Sequence, residues 1–271
     1  MTYITESPTL DTLPDIYALH ADLAERNRLL SVLRENLAAG RNRLENLLIL
    51  RSDRGIEGTA LVSPAVQVPY FPRLRPDVTE EAMTLLARTL RDRAESERRL
   101  ILQNDLAPLH REAVEAAGWQ YSSTEVAYDT DLTARTYALD PRAQEGDESM
   151  LLRPDVQALI HALGSQLQQF SGGFRDGWTV VALPGDEVGE PLLALGAYGP
   201  AKPGYGGVDM IGVHPQARGQ GLGTRLNAHL LARLAERFTQ HGGLTSADNH
   251  AMRRILQKNG SRHTATQMYF Q

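Results

Sequence analysis

The chain has no cysteine among its 271 residues. Disulfides, thiolate metal sites and cysteine nucleophiles are excluded with it, so covalent chemistry falls to other groups, and the composition suits a reducing cytoplasm. No run approaches the roughly 20 apolar residues that a membrane-spanning helix needs. The start, MTYITESPTLDTLP, is polar and acidic and lacks the basic-then-apolar order of a secretion signal. Positive charge is not in excess either. The net charge of -5 argues against general binding of nucleic acid or of an anionic membrane. H-E-x-x-H and G-x-S-x-G are both missing. His229, His241 and His250 show no metal-ligand spacing, so no metal is expected and these histidines are expected on the surface.

What is present is ordinary for a soluble enzyme: 42% apolar and 23% charged residues, in a chain long for one domain and comfortable for two. Helical spacing (Ile16, Leu19, Leu23, Leu29, Leu30, Val32, Leu33, Leu37) covers residues 12–38 and stops at Ala39-Gly40, as one broken helix or two. Strand-like segments follow at residues 44–52, 57–63 and 66–71. Residues 77–96 read as an amphipathic helix, RLILQ as a strand, LHREAVEAAGW as a helix ending at Gly118, and SSTEVAYDT as a strand. A stretch of proline, glycine and acids, residues 131–149, interrupts this order, and then it restarts. Residues 151–155 read as a short strand and 156–170 as a helix; WTVVALP and PLLALGAYG are strands around a turn at 185–189, and VDMIGV is a third. A helix to about Phe238, a short strand near Leu244, a helix over 249–259 and the strand HTATQMYF complete the second half. The repeated order points to a diverged internal duplication, with domains at 1–132 and 148–271 and a linker at 133–147. Two unrelated α+β halves are the alternative.

The densest local signal is RGQGLG, residues 218–223, between VDMIGV and the leucine-spaced LNAHLLARL. Glycine costs backbone entropy, so three in five positions require either positive φ or a close approach by another group. A glycine turn from a strand into a helix leaves the first helical N–H groups without internal partners and points the positive end of the helix dipole outward. That is an anion site. The nucleotide-triphosphatase loop needs Gly-Lys before Ser or Thr, whereas Gly223 is followed directly by Thr224. The dinucleotide fingerprint G-x-G-x-x-G is not met by Gly219, Gly221 and Gly223. A glycine connection without a ligand is the plain alternative.

Val213, Pro215, Arg218, Gly219, Gln220, Gly221, Leu222, Gly223, Thr224 and Leu226, as V-x-P-x-x-R-G-Q-G-L-G-T-x-L, resemble the R/Q-x-x-G-x-G/A signature of the GNAT superfamily of acyl-CoA-dependent N-acyltransferases. A second family element, N-x-x-A-x-x-x-Y-x-K-x-G-F, is partly matched: Asn249, Lys258 and Gly260 agree, Met252 replaces Ala and Ser261 replaces Phe. Leu256 stands where many members carry a tyrosine that protonates the leaving thiolate. The resemblance implies an α+β protein of two tandem GNAT-like domains, each a mixed, mostly antiparallel sheet flanked by helices. It further implies acetyl-CoA as co-substrate. The pyrophosphate would lie on the N–H groups of residues 218–224, the pantetheine along Ile211, Gly212 and Val213, and Asn249 would hold the pantetheine from the facing helix. A backbone N–H of that strand would serve as oxyanion donor.

The reaction so implied is direct attack on the thioester by a primary amine of a small molecule or peptide, in a ternary complex. Such an amine must lose a proton. Asp209, two residues before Ile211 and on the same face of a regular strand, is the candidate base, with an exposed rim acid as the equal alternative. Tyr198 and Tyr205 flank the strand connection and could line the acceptor pocket or donate to the thiolate; Tyr269 is a substitute acid. In the first half the matching junction, FPRLRPD, has no glycine, and Pro72 and Pro76 remove two N–H donors. Only the second half is therefore expected to bind the cofactor. A degenerate first half beside a competent second is similar in layout to mycothiol synthase, which carries no substrate over. The rival reading is a catalytically silent acyl-CoA-binding or protein-interaction module, and a monomer of two pseudo-symmetric halves and a homodimer both remain open.

Overall fold

The computed structural model describes residues 1–62, 68–94, 98–164, 177–185 and 191–271. The chain forms two compact units, Met1–Glu125 with Ala265–Gln271, and Val126–Thr264. The first runs β1 (Ile4–Glu6), α1 (Leu23–Ala38), β2 (Leu47–Ser52), β3 (Gly55–Leu61), β4 (Arg73–Leu74), α2 (Glu80–Asp92), β5 (Leu100–Gln103) and α3 (Arg111–Ala116), after which β6 (Tyr121–Asp131) crosses the division. The second repeats that order as β7 (Gln144–Gly146), α4 (Pro154–Leu163), β8 (Thr179–Pro184), β9 (Leu192–Lys202), β10 (Tyr205–Val213), α5 (Leu222–Ala235), β11 (Gln240–Ser246) and α6 (His250–Lys258), followed by β12 (Arg262–Phe270). Among the described residues no helix is long and apolar enough to cross a membrane.

In the first unit β1, β2, β3 and β4 pair antiparallel in that order, and a parallel bridge joins Tyr70 to Leu100 of β5. The C-terminal strand β12 then pairs antiparallel with β5, Phe270 opposite Leu100. In the second unit β7, β8, β9 and β10 pair antiparallel, β11 joins β10 in parallel, and β6 lies beside β11. The expected division at 132 and 148 differs from these units at both ends. Phe270 is buried in the first unit's core with Leu100 and Leu102, and Val126 and Tyr128 are buried with Leu256 in the second. Each terminal strand is claimed by pairing and burial, which its own alternation does not disclose.

The two units also end their third helical segment alike. Gly118 (φ +92) and Gly260 (φ +84) are left-handed. Their N–H groups donate to Glu115 and Gln257, and the next residues, Trp119 and Ser261, donate to Val114 and Leu256, the pattern of a glycine C-cap. Helix starts follow sequence chemistry equally directly: Asp22, Thr79 and Asn249 accept N–H bonds from the first turns of α1, α2 and α6. Leu222, Leu226 and Leu230 of α5 are buried against Val181, Leu183 and Ala194 of β8 and β9. Each such leucine contributes about 2 kcal/mol by leaving water.

Several expectations are corrected. Residues 151–155 are not a strand: Glu148–Leu152 is a 3-10 turn capped by Asp147, and Pro154 opens α4, where its fixed φ suits a helix start. The strand of that region is β7, inside the expected linker, with Gly146 opposite Val180. Its sequence, Gln-Glu-Gly, carries no apolar alternation to announce it. The spacing over 12–38 resolves into a 3-10 turn, Leu13–Tyr17, and α1. Of the strand expected at 66–71, the described part forms one bridge, at Tyr70. Its first two residues, the helix ends expected at 95–96 and 165–170, and the turn at 186–189 lie outside the described residues.

Candidate active site

In the second unit, β10 and β11 are registered only at their starts, Tyr205 opposite Gln240 and Gly206 opposite His241. Beyond that point a cavity of about 1170 Å³ opens, lined by residues 209–213 of β10, by the glycine turn, by Ser246, Asp248 and Asn249 after β11, and by α6. Parallel strands that part in this way leave one backbone edge of β10 without a ladder partner.

A bulge shapes the β10 wall. Asp209 is opposite Ala197 and Ile211 opposite Gly196, so Met210, with φ of +59, is the extra residue. Ala197 and Gly196 are neighbours whose side positions point to opposite faces. Asp209 and Ile211 therefore lie on opposite faces, which corrects the expectation that they share one. Ile211 packs toward α5, and Asp209 is exposed and lines the cavity. A Cβ on Gly196 would sit 3.0 Å from the Met210 carbonyl oxygen, so glycine there admits the bulged strand.

The three glycines of RGQGLG are there for two different reasons. Gly219 (φ +81) and Gly221 (φ +85) are left-handed, with open space where a Cβ would be. Gly223 has no such φ and is buried, where a Cβ would stand 2.7 Å from Ile255 Cδ1 and 3.4 Å from Val213 Cγ2. Gly221 caps α5, and its carbonyl accepts from the N–H groups of Thr224 and Arg225 at 3.0 and 3.1 Å. Among the described residues, the N–H groups of residues 219 to 223 donate no hydrogen bond within the protein. Five unpartnered donors thus meet the positive end of a 14-residue helix. Arg218, Arg254 and Lys258 line the same cavity. Gln220 is the one expected cofactor residue that is not on the lining; its side-chain amide donates to Gln216 O at 3.4 Å.

The first unit's junction is built differently. The N–H groups of Leu74, Arg75 and Val78 donate to the carbonyls of Leu106, Glu57 and Arg75, at 2.7, 2.9 and 3.1 Å. Arg75 is held by Asp77. With these three donors satisfied, Pro72 and Pro76 supplying none, and Glu80 and Glu81 placing carboxylates in the first turn of α2, an anion finds no comparable row.

Asn249 lines the cavity as the N-cap of α6, its side-chain oxygen accepting from Met252 N at 3.0 Å. Leu256 is 2% exposed, packed with Val126, Tyr128 and Met252. Tyr198 is not brought to the lining: it faces the α5 side, donates to Glu145 Oε2 at 3.2 Å, and burial pushes its phenol pKa up. Tyr269 lies in the first unit, donating to Gln267 Oε1 at 2.6 Å, with burial and then Glu125 raising its pKa. Tyr205 carries the Lys202 ammonium over its ring. Of the histidines expected on the surface only His250 is exposed. His229 is 2% exposed: its Nδ1 accepts from Asp140 N, which leaves the proton on Nε2, 2.9 Å from Glu145 Oε1. His241 is 1% exposed, its Nδ1 bonded to Thr130 Oγ1 at 3.1 Å and its Nε2 unpartnered, and burial pulls its pKa down to about 4.

Sequence reasoning missed Asn259, whose buried amide donates to Thr224 O at 3.1 Å and to Asn227 Oδ1 at 2.7 Å. It ties the end of α6 to the first turns of α5. The Asn259-Gly260 pair reads as a helix stop, but not as a tether. Trp178 and Leu163, which also line the cavity, read only as a strand start and a helix position.

A mixed sheet whose parallel strands part beside a helix start with unpartnered N–H donors forms a cleft chemically suited to an anion. Residues 163–260, 98 of the 271, match the Acetyltransferase (GNAT) family. The protein is accordingly an acyltransferase. No curated protein matches the chain. The GCN5-related N-acetyltransferase from Sphaerobacter thermophilus is 13% identical, with a TM-score of 0.56 over 99% of this chain and 94% of that one, which shows a shared fold. A tandem GNAT protein from the clavulanic acid biosynthesis pathway is 15% identical over 99% of this chain and 97% of that one, at a TM-score of 0.46. A GNAT acetyltransferase from Colwellia psychrerythraea is 16% identical over 83% and 84%, at 0.49.

Proposed function

We propose that the protein is an N-acetyltransferase that moves the acetyl group of acetyl-CoA to a primary amine of a small molecule or peptide, by direct attack in a ternary complex. The row of unpartnered N–H groups at residues 219 to 223 carries this reading. Those donors and the helix dipole suit a pyrophosphate, and Arg218, Arg254 and Lys258 add positive charge along the same cavity. Acetyl-CoA supplies the activated acetyl group. The free edge of β10 after Gly206 offers backbone groups to the pantetheine and an N–H to the thioester oxygen. Asn249, its oxygen engaged as a cap, has its amide N–H groups for the same arm.

Asp209 is the only carboxylate of β10 on the lining, and we assign it the base. It takes the proton of the amine, the amine nitrogen bonds to the acetyl carbon, and the carbon–sulfur bond breaks. The departing thiolate has a reference pKa of about 8.5, so solvent can protonate it without the phenol that Leu256 replaces. A cytoplasmic location agrees with the absence of cysteine.

Calorimetric titration should find one acetyl-CoA per chain, and Gly221→Glu should abolish it by crowding and repelling the pyrophosphate. Two sites, or indifference to that change, overturn the reading. An amine panel assayed for released thiol separates catalysis from the silent module that the buried Leu256 favours: binding with no thiol released from any amine would establish the latter.

A further inference from the structure

The cavity has a second chemical character on the face of the sheet that carries α4, and the inference drawn from it rests on the acetyltransferase reading. There the lining is Leu163, Trp178, Asp209 and Met210. Leu163 and Met210 pack on the cluster that α4 forms with β8 and β9. Trp178 is 8% exposed and lies over a cross-strand pair of glycines, Gly199 opposite Gly207. A Cβ on Gly199 would stand 2.5 Å from the indole Cγ, and one on Gly207 3.2 Å from Cη2. Two paired glycines weaken a sheet, and here their absent side chains let an indole lie flat on it. The ring is thereby held against the sheet, and Trp178 is among the residues that line the cavity.

Asp209 follows Gly207 by two residues on β10, so its carboxylate stands on the same face, about 7 Å further along the strand. An ammonium attracted to that carboxylate places whatever it carries back along β10 toward the indole. Among the described residues, no lysine or arginine belongs to this part of the lining. An acceptor with anionic groups gains nothing here, and a strongly hydrated one leaves the indole and Leu163 poorly covered.

We propose that the acceptor is a primary amine carried two or three atoms away from a flat apolar ring, with the ring seated against Trp178 and the amine at Asp209. Trp178 is then the residue that selects the acceptor, and Gly199 and Gly207 set its place.

The test uses the full chain, its Trp178→Leu and Trp178→Phe variants, and three probe amines: 2-phenylethylamine, hexylamine and glucosamine. With acetyl-CoA present, kcat/KM for phenylethylamine should exceed that of the other two at least tenfold. Trp178→Leu should erase that margin through KM while leaving acetyl-CoA affinity unchanged. Trp178→Phe keeps a ring and should lose the margin only in part, so it carries the comparison if the leucine variant does not fold. Without acetyl-CoA, phenylethylamine should change the tryptophan emission of the parent, which has Trp119 besides Trp178, and not that of Trp178→Phe. Equal turnover of the three amines, or an emission change that survives in Trp178→Phe, overturns the proposal. If the parent binds no acetyl-CoA the acetyltransferase reading fails instead, and the emission titration still decides whether Trp178 meets a ring.

Discussion

A Cβ added to Gly223 would stand 2.7 Å from Cδ1 of Ile255, so the start of α5 and the middle of α6 meet at a position that has no room for a side chain. The obstructing atom is a single terminal methyl. Gly223→Ala should destabilise the protein by about 1 kcal/mol, overpacking outweighing the gain of removing a helical glycine. In an Ile255→Val background, which lacks that methyl, the same change should stabilise by about 0.5 kcal/mol. Urea denaturation of the four proteins checks the sign reversal; an identical effect in both backgrounds would show that the contact does not matter.

Gly219 and Gly221 present the opposite case. Both have positive φ and open space, so alanine meets no clash and the cost is in the backbone alone, about 1 to 2 kcal/mol at each position. Asparagine tolerates that conformation better and should cost less than alanine at Gly221. Acetyl-CoA affinity measured by calorimetry should follow the order Gly, Asn, Ala at this position. An alanine variant that binds as tightly as the parent would remove the conformational argument.

His241 makes stability depend on pH. Its pKa in the folded chain, about 4, lies below the unfolded value of about 6.5, so folding favours the neutral ring. The contribution is complete above pH 6.5 and is lost as pH falls toward 4. Between pH 7.5 and 4.5 the parent should lose about 2 to 3 kcal/mol more than His241→Gln. Parallel pH profiles for the two proteins in chemical denaturation would contradict this.

Asn259 joins α6 to α5 through two hydrogen bonds from one buried amide. Asn259→Ala leaves Thr224 O and Asn227 Oδ1 without that donor and should cost about 1 to 3 kcal/mol. Because Thr224 directly follows the glycine turn, acetyl-CoA affinity should fall while the turnover number at saturation changes little. Asn227 shares the network, so Asn227→Ala with Asn259→Ala should cost less than the sum of the two. A fully additive pair would mean that the two amides act independently.

Much of this was legible along the chain. RGQGLG between an apolar run and a leucine repeat announced a glycine turn opening a helix, because strand, turn and helix are each encoded by neighbouring residues. The repeated element order and the matched glycines at 118 and 260 were readable for the same reason. The strand β7 was not, since Gln144, Glu145 and Gly146 carry no apolar alternation and are identified as a strand by their pairing with Ala182, Val181 and Val180. Nor were the buried histidines: His229 is enclosed by Asp140 and Glu145, 89 and 84 residues away in sequence.

The sequence by itself determined the helix caps, the glycine turn that opens α5, and the absence of such a turn from the first half, all of which depend on residues within one or two turns of each other. Only the tertiary structure decided which glycine serves φ and which serves packing, because the clash at Gly223 is with a helix 32 residues on. It also decided the side on which Asp209 stands, because one bulged residue, Met210, reverses the alternation of a strand, and where each terminal strand pairs, because a strand's partner is chosen by the edge it meets rather than by its own residues.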